Sequence, residues 1–264
     1  MGCDIHTYIE TRVNGVWELV WPSLVKSLRD VECDYEDREE HKLQEYLDTL
    51  PPFVRLVDTS TPEGLKEMRT CRDEKWESDL YLGRNYWLFS ALAGVRNRDL
   101  ALTPISPPRG VPKDASVAYT FVVEEEANDV HSHSWFTLAE LQAVDWDKGI
   151  PFEGFLDAYN YYRLLKGKDP VSWDTYCTEQ HNISASEMLE HLKEVRKSLV
   201  PYARLEKALR EEYSYRCKTK TQWNMSYRSF MEDFLSKFLP ALQKLALDSG
   251  LSPEDVRFCF HFDN

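Results

Sequence analysis

Asp4, His6 and Glu10 occupy alternate positions in Cys3-Asp4-Ile5-His6-Thr7-Tyr8-Ile9-Glu10. Side chains alternate along a strand, so these three residues and Tyr8 share one face while Cys3, Ile5, Thr7 and Ile9 share the other. One face suits a core and the other suits chemistry. The end of the chain repeats the pattern, with Val256, Phe258, Phe260 and Phe262 alternating with Arg257, Cys259, His261 and Asp263. If the two strands are sheet neighbours, Asp4, His6 and Glu10 meet His261 and Asp263 on one polar face. A third source is His131-Ser132-His133-Ser134-Trp135, where an extended backbone puts the two imidazoles on one side.

Three chemistries use these residue types. Neutral imidazole and carboxylate are ligands of first-row metals, so Asp4, His6, His131, His133, His261 and Asp263 form a candidate set for a divalent ion. The Asp-x-His on a first strand resembles the opening of binuclear metallophosphoesterases, although the other elements of that pattern, Gly-Asp-x-x-Asp-Arg-Gly or Gly-Asn-His-Asp/Glu, are missing. The second chemistry needs no metal. His6 and His131 act as general base and general acid on a phosphodiester, Asp4 orients an imidazole, and Arg84, Arg96 and Arg109 hold phosphate. The third is a pocket that binds a phosphate-bearing ligand without turning it over, for which the same residues serve.

The 264 residues carry a net charge of -13, which disfavours a nucleic-acid polymer as partner because backbone binding needs many unopposed Lys and Arg. Against that background the stretch 84–113 is reversed in sign, with Arg84, Arg96, Arg98, Arg109 and Lys113 against Asp99 alone. Such a reversal marks a site for a small anion. No apolar run approaches the roughly 20 residues that cross a bilayer, and the six cysteines form no Cys-x-x-Cys pair. The expectation is a soluble intracellular protein with reduced thiols. Met-Gly-Cys at the start invites lipidation, but His6 stands where myristoylation wants Ser or Thr.

The elements that must position these residues follow from local signals. Asn14-Gly15 predicts a type I′ hairpin returning a strand over 16–21. The acidic stretch 30–48 predicts a solvated helix before Pro51-Pro52. Asn85 caps a helix whose Leu88, Phe89, Leu92 and Val95 share a face, and a Pro-rich loop follows over 97–116. The β-branched and aromatic stretch 116–124 predicts a central strand. Capping boxes at Thr137/Glu140 and Ser184/Glu187 start two helices, and a long helix over about 226–248 is kinked at Pro240. The aromatics of 151–181 pack an irregular segment. The fold class is α+β: one domain, 1–264, with a largely antiparallel sheet containing both terminal strands and helices on one face. Its core is 1–22, 83–148 and 226–264, with insertions over about 30–77 and 149–225, the second helical.

The chain resembles a family of tailed-bacteriophage proteins that open on Cys-Asp-Ile-His and close on Phe-Asp-Asn. The matching residues are Cys3 to His6 and Glu10; Arg84, Asn85, Tyr86, Leu88, Phe89, Leu92, Ala93, Val95 and Arg96; Pro108, Arg109, Gly110 and Pro112; His131, Ser132, Ser134, Trp135, Thr137, Glu140 and Leu141; and Phe262 to Asn264. The resemblance adds Glu10, Tyr86, Ser132, Ser134 and Trp135 to the ligand-binding set. Position 133 varies in that family, which favours His6 with His131 over the His-x-His pair. It implies a phage accessory protein in the host bacterial cytoplasm, cleaving or sequestering a small nucleotide such as an immune signal, with a phage structural role as the further alternative. Homo-oligomerisation stays open.

Overall fold

Asn14 and Gly15 have φ of 52° and 82°, the left-handed values a type I′ turn requires, and they return β1 (Ile5–Val13) antiparallel to β2 (Val16–Trp21). The computed structural model describes residues 3–35, 40–97, 102–198, 205–213 and 217–263. Met1, Gly2, Arg98, Asp99 and Asn264 lie outside the described residues. The chain continues through β3 (Val25–Ser27), α1 (Leu28–Tyr35), α2 (Glu40–Thr49), β4 (Arg55–Val57), α3 (Pro62–Glu77), α4 (Tyr86–Ala93), α5 (Val117–Glu125), β5 (Val130–Thr137) and α6 (Leu138–Ala143). It then passes β6 (Gly149–Asp157), α7 (Ala158–Leu165), α8 (Ala185–Ser198), α9 (Leu205–Ala208), β7 (Lys218–Ser226), α10 (Leu239–Asp248) and β8 (Val256–Asp263).

The fold is α+β, and the two terminal strands are neighbours in an antiparallel sheet of order β2-β1-β8-β5. The register pairs Ile5 with Phe262, His6 with His261, Tyr8 with Cys259 and Glu10 with Arg257. Directly opposite residues point to the same side, so the two alternations merge as the sequence predicts. The apolar face buries Phe258, Phe260 and Phe262, packed by Phe238 at 4.8 Å from Phe258 and by Phe89 of α4 at 5.0 Å from Phe262. At roughly 25 cal/mol per Å² of apolar surface, burial of such aromatics is the main stabilising contribution on this side.

The second face is covered too, by a helix where the sequence predicts a strand. Val117, Thr120, Val122 and Val123 favour β structure, but tertiary packing overrides that weak preference. Ser116 caps the segment by accepting from Tyr119 N at 3.0 Å, and Tyr119 and Val122, one turn apart, bury against Tyr8 and Cys259. This correction matters for the site, because α5 delivers the residue that follows it.

The chain divides by backbone contacts into two compact units, 1–144 with 232–264, and 145–231. The second unit extends a few residues beyond each end of the stretch 149–225 that the sequence marks as an insertion. It contains helices α7 to α9, but its frame is an antiparallel pair, β6 with β7, that the helical expectation missed. Phe152 packs there against Trp173 at 5.3 Å, Phe230 at 5.7 Å and Trp223 at 6.0 Å. Both capping boxes form as predicted. The long last helix starts later than predicted: β7 runs to Ser226, and helical backbone runs unbroken from 232 through a π-helical turn at Phe234–Phe238 into α10. Pro240 directly follows that π-helical turn, inside helical backbone, at the place where such helices bend.

Candidate metal centre

The β1–β8 register alone stacks His6 on His261, ring centroids 5.1 Å apart. Two further elements converge on this pair. The β5–β8 register shifts between His131 and Ser134, with Ser132 at φ 55°. A bulge of this kind re-aims side chains. His131 pairs with Phe262, on the apolar side, while His133 comes to 4.9 Å from His261 on the polar side. The Pro-Arg-Gly segment braces the bulge: Gly110 N donates to the His133 carbonyl at 2.8 Å and Arg109 N donates to Ser134 Oγ at 3.2 Å.

The other element is α5, which ends on Glu126. Glu126 Oε2 lies 2.8 Å from His261 Nε2, and Tyr8 donates its hydroxyl to the carboxylate at 3.3 Å and 3.4 Å. One donor atom from each of His6, Glu126 and His261 lies within 4.8 Å of the others. Around a tetrahedral ion with bonds of about 2.1 Å, donors stand roughly 3.4 Å apart, so side-chain rotation of order an ångström closes the set. Three protein ligands with an open fourth position is the arrangement of catalytic zinc sites.

The hydrogen bonding sets this cluster apart. His261 is fully buried; among the described residues its Nδ1 has no hydrogen-bond partner, and its Nε2 meets Glu126 Oε2 at 2.8 Å. His133 Nε2 is likewise buried without a hydrogen bond. Buried polar atoms nearly always find partners, and an orphan of this kind in a cluster of ligand side chains fits a cation. The protonation states agree. Burial holds the His261 imidazole below its ordinary pKa despite Glu126, and burial with help from His261 does the same for His133. For Glu126, burial opposes ionisation, but His261, His6 and the Tyr8 hydroxyl outweigh it and hold the carboxyl low. The Tyr8 phenol is held protonated by burial and by Glu126. His133 and His261 are therefore favoured as neutral imidazoles and Glu126 as an ionised carboxylate, the forms that bind metals.

A pH dependence follows. The unfolded chain's imidazoles titrate near 6.5, while His133 and His261 in the fold stay neutral to lower pH. Below that value the unfolded state binds more protons, so the stability of chelator-treated protein falls as pH drops through about 6.5. Melting temperatures from about pH 8 to pH 5 check this, and His133→Phe should flatten the slope.

The other expected residues are held in separate arrangements. Asp4 takes Arg84 bidentately at 2.6 Å and 2.7 Å, which holds its carboxyl below the usual range. Asp263 joins the ends of the two strands: Oδ1 accepts from Asp4 N at 2.5 Å and Oδ2 lies 3.4 Å from His6 Nε2. A carboxylate behind a ligating imidazole orients it. Glu10, fully buried, is committed to Arg257. Arg109 is committed to Glu140 at 2.8 Å and packs over Trp135 at 5.0 Å. Arg96 lies over the ring of Tyr86 at 5.9 Å. Ser132 Oγ bonds His131 Nδ1 at 2.9 Å, and Ser134 is buried. The His6–His131 pair and the arginine pocket are thus not brought together: register places His6 and His131 on opposite faces, and Arg84 and Arg109 hold carboxylates of their own.

Sequence reasoning missed Glu126 and Tyr8. The signal for Glu126 was the spacing Tyr119, Val122, Glu126, which marks one helical face once 116–124 is read as a capped helix. A cavity of about 510 Å³ opens beside the cluster, lined by Tyr8 and Glu126 together with Lys26, Lys75, Trp76 and Phe121. No helix among the described residues is long and apolar enough to cross a membrane. Comparison with protein-family models, curated proteins and solved structures finds no match.

Proposed function

We propose that His6, Glu126 and His261 bind a divalent first-row metal ion, and that the protein hydrolyses a phosphodiester or phosphoanhydride bond of a small nucleotide. The observation that carries this reading is the convergence of donor atoms from His6, Glu126 and the fully buried His261 within 4.8 Å of one another, with His261 Nδ1 unpartnered among the described residues. A bound ion supplies Lewis acidity and lowers the pKa of a coordinated water. Asp263 orients His6, and the Tyr8 hydroxyl fixes the Glu126 carboxylate. What supports a phosphate substrate is the adjoining cavity, which shares Tyr8 and Glu126 with the cluster and is lined by Lys26, Arg72 and Lys75. In this reading the protein serves a phage in the host cytoplasm, as its resemblance suggests. His6 keeps its catalytic place, now as a ligand, and His133 stands ready as a further donor.

Two measurements test it. Elemental analysis of untreated protein should find about one equivalent of zinc, manganese or another first-row metal per chain. Incubation with a panel of cyclic and linear nucleotides should yield fragments, and chelator should stop the reaction. Intact nucleotide released on heating would favour the sequestering alternative. Protein without metal that neither cleaves nor retains any nucleotide would overturn the reading.

A further inference from the structure

We infer that the cavity beside the His–Glu cluster is a phosphate subsite built on Lys75, and that its ligand class is a nucleoside monophosphate group. The inference rests on the reading above for the position of the reacting bond, but not for the binding itself.

The cavity's three cations differ in what they already hold. The Lys26 ammonium is tied to the Glu125 carboxylate and, at 2.8 Å, to the Tyr46 hydroxyl. Arg72 is exposed and lies 3.3 Å from its neighbour Asp73. Lys75 is half-buried, and among the described residues it makes neither an ion pair nor a hydrogen bond. Removing an ammonium from water without a partner is costly, and the cost is recovered when an anion enters beside it. Its place in the last turn of α3 gives only weak compensation from the helix carbonyls. Burial depresses its pKa, with Glu126 acting the other way, which is how an ammonium waiting for an anion should behave.

The rest of the lining selects the ligand. Glu125 and Glu126 would repel a phosphate, but Lys26 pairs with the first and Lys75 itself lies within electrostatic reach of the second. The wall opposite in chemistry is apolar and aromatic, from Leu24, Phe121, Val122 and Trp76, the last 54% exposed. A flat base stacks on such side chains, and one ammonium takes one phosphate. The volume, about 510 Å³, lies in the range of small-molecule sites and suits one mononucleotide better than a polymer.

The test is calorimetric titration of the full chain with adenosine 5′-monophosphate, inorganic phosphate and adenosine, alongside metal analysis of each sample. Adenosine monophosphate should bind most tightly. Lys75→Met should weaken it and inorganic phosphate by on the order of tenfold to a hundredfold, the worth of a charge-assisted hydrogen bond, while adenosine binding and metal content stay unchanged. Lys75→Arg should retain part of the affinity, and unchanged melting curves show that both variants fold. Wild-type affinity in Lys75→Met overturns the inference, as does equal binding of adenosine and its monophosphate. Metal-loaded protein that binds no nucleotide sinks the subsite and leaves the metal centre standing. Lys75-dependent binding in protein that takes no metal does the reverse.

Discussion

His261→Ala should abolish the proposed metal binding and hydrolysis together: metal affinity should fall by well over about 100-fold, and activity to the level of the chelated wild type. The size follows from position. His261 is the central member of the cluster, 5.1 Å from the His6 ring, 4.9 Å from the His133 ring and 2.8 Å from Glu126. Glu126→Gln, which keeps shape but removes charge, should fall nearly as far. Asp263→Asn acts only through His6 and should cost about 10- to 100-fold. His133→Ala, whose side chain reaches the cluster through a bulge, should cost less than His261→Ala. That order, read by competition with a chromogenic chelator, separates a metal centre from a purely structural cluster. A structural cluster would show four similar losses of stability and no graded loss of metal. His261→Ala also removes a buried nitrogen, Nδ1, that has no hydrogen-bond partner among the described residues, so the chelated variant should melt no more than a few degrees below chelated wild type. A His261→Ala protein that keeps its metal ends the proposal.

The sheet was legible because its signals are local and period-two. Asn14-Gly15 dictates the hairpin, and the alternations of β1 and β8 pair only if their apolar faces coincide. That brought His6 to His261 and Asp4 to Asp263 without any structure. Two features were not legible. The bulge at Ser132 is invisible to alternation, so His131 and His133, expected on one side, lie on opposite faces. The helix α5 is written in residues that favour strands and is held by what it packs on, Tyr8 and Cys259, and by its cap. Both errors concern non-local packing, and together they hid Glu126. The arginines were misjudged for a related reason. Composition shows a local excess of positive charge, but not that Arg84 is spent on Asp4 and Arg109 on Glu140.

Arg257→Met should destabilise the fold by about 3–5 kcal/mol, the usual cost of stranding one member of a buried ion pair. Arg257 is 1% exposed and its guanidinium donates to Glu10 Oε2 from both Nε and Nη2, at 2.9 Å and 2.6 Å, and from Nη1 to Asp114 at 2.7 Å. It also lies 4.0 Å over Trp17. The Glu10 carboxylate is saturated: besides Arg257 it accepts from Ser116 N at 2.7 Å and from Cys259 Sγ at 3.3 Å. A carboxylate so occupied has no capacity left for a ligand, and its role is to anchor a helix. Ser116 caps α5, and Glu126 follows directly at its C-terminal cap, so the pair fixes the proposed metal ligand through one covalent segment. Glu10→Gln should therefore weaken metal binding as well as stability, although Glu10 is not a ligand. The double variant Glu10→Leu/Arg257→Met leaves no stranded buried charge and should recover much of the stability in urea denaturation, but not the metal affinity, because the Ser116 N–H has lost its acceptor. If instead the double variant regains both, the anchor is irrelevant and α5 is positioned by Tyr119 and Val122 alone. If Arg257→Met leaves stability untouched but abolishes nucleotide binding, Glu10 returns to the ligand-binding set in which the sequence first placed it.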